Sequence, residues 1–286
     1  MERTSFTSRF TNFINTYSIW VALGSFSTFL FVSQIYKVDP NYIIASGLAL
    51  GVWFIYTLDH LLDGIKLKGD VASPRHREHF EKKKVIVGLL ILVAAVLLIL
   101  ATRVPKDYYP VVQILFGLTV AHFLINYLVP ENLKRKVFLK EVFIALVVTI
   151  GFVFTPFIEV SFKHQTDQWM HLFFIFCLIN LSNLLLFSAY DRNQDKLSQV
   201  LSIAQLHSKK TIRFIIVLCL VTSVLLVGFY TVQHELKLMD SLILLAMQTT
   251  LALMTFWESF FSKGDRYRFW GDFIYVYPLF VLPFLG

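Results

Sequence analysis

Long apolar runs recur along the whole chain and constrain its fold more than any single motif does. The 286 residues are 56% hydrophobic and only 16% charged, and they include 29 Phe, a balance outside that of soluble globular proteins. Most runs approach the roughly 20 residues that a helix needs to cross the hydrocarbon of a bilayer. The predicted spans are residues 18–36, 42–58, 85–101, 109–129, 137–157, 169–190, 212–230, 241–261 and 273–285, of which the last is the shortest. We therefore expect an all-α integral membrane protein with nine transmembrane helices, forming a single membrane domain over residues 1–286.

Lys and Arg are distributed unevenly over the loops between these spans. Cytoplasmic loops collect Lys and Arg, and successive loops alternate between the two sides of the membrane. This asymmetry predicts a cytoplasmic N-terminus and a C-terminus outside. The first 17 residues include Glu2 and several Ser and Thr but no small-residue cleavage site, so we expect the first span to be a retained helix and not a removed signal peptide. We expect the surroundings to be a bacterial inner membrane, with no nucleic-acid partner, and the oligomeric state stays open. Of the 26 Lys and Arg, five lie on the outer side: Lys37, Arg103, Lys106, Lys163 and Lys237.

Two acidic pairs of identical spacing lie where an apolar run meets a basic loop. They are Asp59-x-x-x-Asp63, after the second span, and Asp191-x-x-x-Asp195, after the sixth. Residues four apart share a helix face, so each pair stacks like charges at a helix C-terminus, where the macrodipole is already negative. We expect a cation to compensate both sites. Two such sites that meet across a bundle would hold a divalent metal, and a metal held there suits a substrate that carries phosphate.

Both acidic pairs also have a simpler interpretation. A single acidic pair beside a basic loop can be a solvated salt-bridge network, with Lys66 and Lys196 as the compensating cations. Recurrence of the pair on the same side of the membrane favours a shared cation site, because the cost of like charges is incurred twice.

Polar residues within or beside the spans have structural and functional interpretations. His76-x-x-His79 has a spacing that can ligate zinc, but the neighbouring basic residues repel a cation. His60 can orient an aspartate or simply lie at the membrane interface. Asn180 and Asn183 lie inside an apolar run, where we expect helix-to-helix hydrogen bonds.

The arrangement resembles the UbiA superfamily of intramembrane prenyltransferases, which has nine transmembrane helices and aspartate-rich motifs after the second and sixth. Residues 190–196 read Tyr-Asp-Arg-Asn-Gln-Asp-Lys and are similar to the family's DxxxD motif with its following basic residue. Residues 127–134, Lys140-Glu141, Gly151 and Pro156 resemble its fourth and fifth helices. The first motif departs from the family's NDxxDxxxD, because Ile55 and Tyr56 stand where the family has Asn and Asp.

The resemblance implies a UbiA-like bundle with a central cavity that opens to the cytoplasmic side. It implies Mg2+-dependent transfer of an isoprenyl group from a prenyl diphosphate to an aromatic or otherwise hydrophobic, lipidic acceptor. The implied metal ligands are Asp59, Asp63, Asp191 and Asp195, with Asp59 and Asp191 catalytic. The implied diphosphate ligands are Lys66, Arg75, Tyr127, Lys134 and Lys196, and the cavity is lined by Tyr56, Asn126 and Tyr190.

Two other classes of protein remain open. A catalytically degenerate member of the fold would bind lipid or serve as a scaffold, and the residues at positions 55 and 56 favour it. A secondary transporter would place ionisable residues near the bilayer midplane, whereas here the spans are largely uncharged between their ends.

Overall fold

The computed structural model describes residues 13–66, 74–130, 140–160, 168–197, 201–233 and 236–280. Within these ranges all regular secondary structure is helical. Three short 3-10 helices cover Lys106–Tyr108, Lys263–Asp265 and Ile274–Phe280. The α-helices are α1 (Ile19–Ile35), α2 (Tyr42–Lys66), α3 (Pro74–Glu81), α4 (Lys83–Ala101), α5 (Tyr109–Leu128), α6 (Lys140–Phe157), α7 (Gln168–Leu197), α8 (Ile203–Leu206), α9 (Lys209–Val232), α10 (Leu238–Phe256), α11 (Glu258–Phe261) and α12 (Arg266–Phe273).

Seven helices among the described residues are long and apolar enough to cross a membrane: α2, α4, α5 with the 3-10 turn before it, α6, α7, α9 and α10. The prediction of an all-α, multi-pass chain is confirmed at this level. The first predicted span corresponds to α1, which is apolar but has only 17 residues.

The last predicted span, residues 273–285, does not begin as one continuous α-helix. α12 ends at Phe273, a 3-10 helix follows over Ile274–Phe280, and residues 281–285 lie outside the described ranges. Pro278 lies within this 3-10 helix, and a proline has no backbone N–H for an α-helical hydrogen bond. The described residues therefore provide seven long helices, one shorter apolar helix and a C-terminal segment of mixed helix type, and the count of nine transmembrane helices stays a prediction.

The helices pack around α7, which contacts α6, α9, α10 and α12. The largest cluster of buried apolar side chains joins α1, α6, α7, α9 and α10, and includes Phe31, Phe176, Leu244 and Met247. By contrast, α4 and α5 have few buried residues and expose large aliphatic and aromatic side chains such as Leu98 and Phe116. Such surfaces suit contact with lipid, because lipid chains are as apolar as the side chains that they meet.

Polar side chains inside the bundle join helices to one another. The Asn180 side chain donates to Thr149 Oγ1 of α6 (2.9 Å) and accepts from the Tyr275 hydroxyl (2.6 Å). The Asn183 side chain donates to the Gly271 carbonyl of α12 (3.0 Å). The expected helix-to-helix role of Asn180 and Asn183 is confirmed, and these bonds hold the C-terminal segment against α7.

Candidate functional site

The first acidic pair lies on the last turns of α2, as its position at the end of an apolar run predicts. The Tyr127 hydroxyl of α5 lies 3.2 Å from Asp59 Oδ1 and 3.1 Å from Asp63 Oδ1. One hydroxyl has a single proton, so it donates to one carboxylate at a time and links both to α5. Tyr127 therefore fixes the spacing of two like charges that would otherwise repel each other.

Lys140, the first residue of α6, is the cation that faces this pair. Its Nζ lies 4.0 Å from Asp59 Oδ2, and each side chain is 23% exposed. Both charged groups are therefore partly shielded from water. Its charge interacts with Asp59 and Asp63 of the first pair and with Asp195 of the second.

The second acidic pair lies on the last turns of α7 and is held by α12. Asp191 Oδ1 accepts hydrogen bonds from the Tyr267 hydroxyl (2.5 Å) and from Arg268 (2.6 Å). The Asp191 and Arg268 side chains are only 14% and 11% exposed, so this ion pair is shielded from water and stronger than a surface pair. Asp191 is thus compensated by a cation of the protein itself.

The two pairs approach each other closely enough to interact through their charges. Asp195 is repelled by Asp63 and attracted by Lys140. Glu141, next to Lys140, accepts from the backbone N–H of Ile203 (2.9 Å) and so ties the segment after α7 to α6. Both acidic pairs therefore border one polar region at the same end of the bundle.

Arg75 of α3 extends this polar region to the C-terminal segment. Its charge interacts with Tyr56 of α2, with Asp191 of α7 and with Asp272 of α12. Its Nε atom is buried and has no hydrogen-bond partner among the described residues. An unsatisfied buried donor on a cation is costly, and an anionic ligand is the chemical group that would satisfy it.

Three histidines support α3 against α2. The His60 ring lies 5.3 Å from the His76 ring and 5.4 Å from the His79 ring, measured between centroids. His79 Nδ1 is 2.9 Å from the Arg75 carbonyl. Burial lowers the pKa of His76 to about 4, with the nearby Arg75 charge acting in the same direction, and burial also lowers the pKa of His79. His76 and His79 therefore pack as neutral rings at neutral pH.

A metal ion can be tested against the donors of this site. Among the described residues, no group of three or more His, Cys, Asp or Glu is arranged to hold a metal ion, and this includes the histidines. Carboxylate oxygens are nevertheless the ligands that Mg2+ prefers, and Mg2+ keeps several waters and shares oxygens with a bound phosphate. The four aspartates thus fit Mg2+ in donor type, with water or another oxygen ligand needed for the remaining positions.

The remaining predicted site residues differ in how closely they are connected to the two acidic pairs. Lys66 ends α2 and its charge interacts with Asp63, whereas Lys196 is exposed at the end of α7. Asn126 is half-buried beside Tyr127. The Tyr190 hydroxyl donates to the Met254 carbonyl (2.7 Å), and its ring stacks on Tyr267 at 4.5 Å, so Tyr190 supports a partner of Asp191. Lys134 lies outside the described residues.

Sequence reasoning did not assign several residues of this region to the site. Three of these residues lie on α12: Tyr267, Arg268 and Asp272. The sequence indicated Lys140 only through the resemblance of Lys140-Glu141 to the family's fourth and fifth helices. Within the part of the chain that the structure describes, Lys140 and Arg268 form the ion pairs with the aspartates, whereas the simpler interpretation predicts Lys66 and Lys196 as the compensating cations. The sequence signal that could have indicated α12 is the basic and aromatic stretch over residues 266–270. This stretch precedes the last apolar run and lies on the same side of the membrane as the aspartates in the predicted topology.

The fold and site define an all-helical, multi-pass membrane protein with paired aspartates, tyrosines and cations gathered at its basic end. Comparisons with protein-family models, with curated proteins and with solved structures find no match to this chain.

Proposed function

We propose that this chain is a Mg2+-dependent intramembrane prenyltransferase of the UbiA superfamily, which moves an isoprenyl group from a prenyl diphosphate to an aromatic or lipidic acceptor. The observation that supports the proposal is that Asp63, Asp195 and Lys140, from three different helices, lie close enough to interact through their charges. The proposal includes nine membrane segments, a cavity open to the cytoplasm, a cytoplasmic N-terminus, an outer C-terminus and a bacterial inner membrane.

The four aspartates would hold Mg2+ together with the oxygens of the substrate. When bound, the metal would neutralise the diphosphate and make it a better leaving group. Tyr127 keeps Asp59 and Asp63 oriented toward the shared region. Tyr267 and Tyr190 do the same for Asp191 through a hydrogen bond and a ring stack.

The cations of the site would bind the remaining diphosphate oxygens. Lys140 and Arg75 are the best-placed candidates, because both interact electrostatically with the acidic residues and Arg75 Nε is unsatisfied. Charge-assisted hydrogen bonds to phosphate oxygens would replace part of their present pairing with carboxylates. Lys66 and Lys196, at the ends of α2 and α7, would act at the cytoplasmic mouth together with Lys134.

The chemistry requires the isoprenyl C–O bond to break. The bonding electron pair leaves with the diphosphate, and the allylic carbon becomes cationic. The Tyr56 ring lies on the face of α2 that interacts with Asp59 and Arg75, and an aromatic face stabilises a neighbouring cation. The acceptor then forms the new bond through its own electron pair and loses its proton to water.

Some features favour a degenerate member of the fold that binds lipid without turnover. Asp191 is already paired with Arg268, and Ile55 and Tyr56 remove two oxygen donors that the family motif has. Transport is less well supported, because Glu258 lies beyond the end of α10 and pairs with Lys209 at the basic end (2.6 Å). It is therefore not a charge near the bilayer midplane.

The proposal is tested by measuring diphosphate release from a panel of prenyl diphosphates with purified full-length protein. We expect release that requires Mg2+ and that Asp195→Asn abolishes, because a lost carboxylate removes several kcal/mol of transition-state charge stabilisation. Asp107→Asn is the matched control, since Asp107 is an exposed aspartate in the turn before α5. Donor binding without release would establish the degenerate alternative, and equal activity of both variants would reject the assigned site.

A further inference from the structure

A cleft lined by apolar and cationic residues lies apart from the four aspartates. It is enclosed by α7, α9 and α10 and has a volume of about 320 Å3. Its inner wall is apolar and includes Leu186, Ile212, Ile216 and Met254. Its entrance carries Lys209, Lys210, Arg213 and Glu258. The cleft is therefore apolar at depth and cationic at its mouth.

The cations at this mouth are unfavourably placed without an anion. Arg213 lies four residues after Lys209 and three after Lys210 on the first turns of α9, so it neighbours both lysines at the positive end of the helix dipole. Glu258 pairs with Lys209. Within the described ranges, Lys210 and Arg213 have no acidic partner. A bound anion would relieve both the mutual repulsion and the dipole cost.

The rim of the cleft is suited to the membrane interface. Phe214, Phe256 and Trp257 are 68%, 63% and 55% exposed, and the Arg213 guanidinium lies 4.9 Å from the centre of the Phe256 ring. Exposed aromatic rings beside Lys and Arg are typical of the headgroup level of a bilayer, where rings lie among acyl chains and cations contact phosphates. A ligand of this cleft would thus meet apolar and cationic surfaces together.

We propose that the cleft binds one anionic phospholipid, with its phosphate between Lys210 and Arg213 and an acyl chain along the apolar wall. The basic residues of this loop can also be read simply as topology determinants. The cleft distinguishes the two interpretations, because a topology determinant needs no adjoining apolar wall. This site uses none of the aspartates and none of the cations assigned to diphosphate, and it shares only Tyr190, which lines the cleft and stacks on Tyr267, with the proposed transferase.

Lipid binding is tested with purified full-length protein in neutral detergent, titrated with phosphatidylglycerol or with phosphatidylcholine of the same acyl chains. Bound lipid is counted by native mass spectrometry, and the thermal unfolding midpoint is followed in parallel. We expect phosphatidylglycerol to bind with clear preference and to raise the midpoint. Lys210→Gln with Arg213→Gln should weaken its binding about 30-fold, since each basic residue near an anionic headgroup contributes roughly a fivefold factor.

The matched control is Lys83→Gln with Lys84→Gln, which removes the same charge from the first turn of α4 and lies outside the cleft. We expect this variant to bind phosphatidylglycerol as the wild type does. Equal weakening in the two double variants would reduce the effect to general electrostatics and overturn the proposal. An equal rise in the midpoint with inorganic phosphate would also overturn it, because the site would then be one for a free anion.

Glu258→Gln provides a second test, in which lipid binding is expected to strengthen. This test does not depend on whether the double variant folds. Glu258 is exposed and forms an ion pair with Lys209. Removing its charge should strengthen phosphatidylglycerol binding about fivefold, whereas unchanged or weaker binding would contradict the proposed phosphate position.

Discussion

Tyr127 shows how one residue can hold a repulsive arrangement together. Two aspartates on one face of α2 repel each other, and both lie at a helix terminus that is already negative. The Tyr127 hydroxyl reaches the two carboxylates from a different helix. The side chain is therefore both a packing contact between α5 and α2 and the group that sets the carboxylate geometry.

We predict that Tyr127→Phe lowers the stability of the protein and alters its Mg2+ dependence, although it removes only one hydroxyl group. Loss of a hydrogen bond to charged acceptors should lower the free energy of unfolding by about 1 to 2 kcal/mol. The Mg2+ concentration for half-maximal diphosphate release should also change, because the carboxylates lose their fixed spacing. Thermal unfolding and a Mg2+ titration measure the two effects.

Tyr109→Phe is the control for this prediction. Tyr109 lies at the other end of α5, and its side chain is 44% exposed. We expect neither the stability nor the Mg2+ dependence to change in this variant. If both Tyr variants behave alike, Tyr127 does not organise the acidic pair.

The element on which the site most depends is the short helix α3. It carries Arg75 and packs on α2 at Gly64, where a Cβ atom would lie 2.8 Å from the His76 carbonyl oxygen. Such a contact is with backbone, which cannot rotate away as a flexible side chain can. Gly64 therefore permits the close approach that brings Arg75 toward Asp191.

We predict that Gly64→Ala displaces α3 and lowers the free energy of unfolding by about 1 to 3 kcal/mol, as overpacking does. Diphosphate release should fall as well, because Arg75 moves with the helix. Gly47→Ala in the same helix has nothing within 4 Å of the new Cβ. It should be neutral or slightly stabilising, since alanine favours a helix by about 1 kcal/mol relative to glycine. Thermal unfolding of the two variants compares them directly, and equal effects would show that the contact with α3 is unimportant.

The histidines of α3 predict a dependence of stability on pH. Burial lowers the pKa of His76 to about 4 and also lowers the pKa of His79, while both titrate near 6.5 in the unfolded chain. The groups that face them are Arg75, His60, Asp59 and Lys140 for His76, and Arg75, Glu78 and the Tyr17 ring for His79. Above about pH 7.5, one unit beyond the pKa in the unfolded chain, both states are almost fully deprotonated at these groups, so they contribute little pH dependence there.

Below pH 6.5 the unfolded chain takes up protons that the folded chain excludes, so stability falls as the pH approaches 4. For His76 the loss is at most about 3 kcal/mol. We expect the unfolding midpoint of His76→Gln with His79→Gln to decline less steeply over this range than that of the wild type. His207→Gln, at an exposed position, should follow the wild type. Parallel curves for all three proteins would reject the assignment.

At the scale of the whole molecule, local sequence patterns predicted what lies within a helix but not what crosses between distant helices. The placement of Asp59 and Asp191 near helix ends follows from apolar runs that stop at charged residues. The pairing of Asp191 with Arg268 spans 77 residues and depends on how α12 packs against α7. No pattern within either segment encodes that contact, so the partners of the site were harder to predict than the aspartates.

The membrane topology depends on two short segments that lie side by side. α1 packs against the C-terminal 3-10 helix, where Gly24 would place a Cβ atom 2.6 Å from Tyr275 Cβ and Thr28 donates to the Tyr275 carbonyl (3.4 Å). The 17 residues of α1 span about 26 Å at 1.5 Å each. The 8 residues of α12 and the 7 of the 3-10 helix together span a similar length of roughly 26 Å. Both approach the hydrocarbon thickness of about 30 Å, so we expect them to cross the membrane together.

This prediction is checked by single-cysteine labelling with an impermeant maleimide, in a variant whose two natural cysteines, Cys177 and Cys219, are replaced. Cysteines at Lys37 and Lys106, and one appended after Gly286, should react from outside intact cells. Cysteines at Lys83 and Lys210 should react only after the membrane is permeabilised. Reaction at Lys37 but not at the appended cysteine would mean that the C-terminal segment returns without crossing. The chain would then have eight crossings, and α12 would hold Asp191 from a segment that stays at the cytoplasmic face.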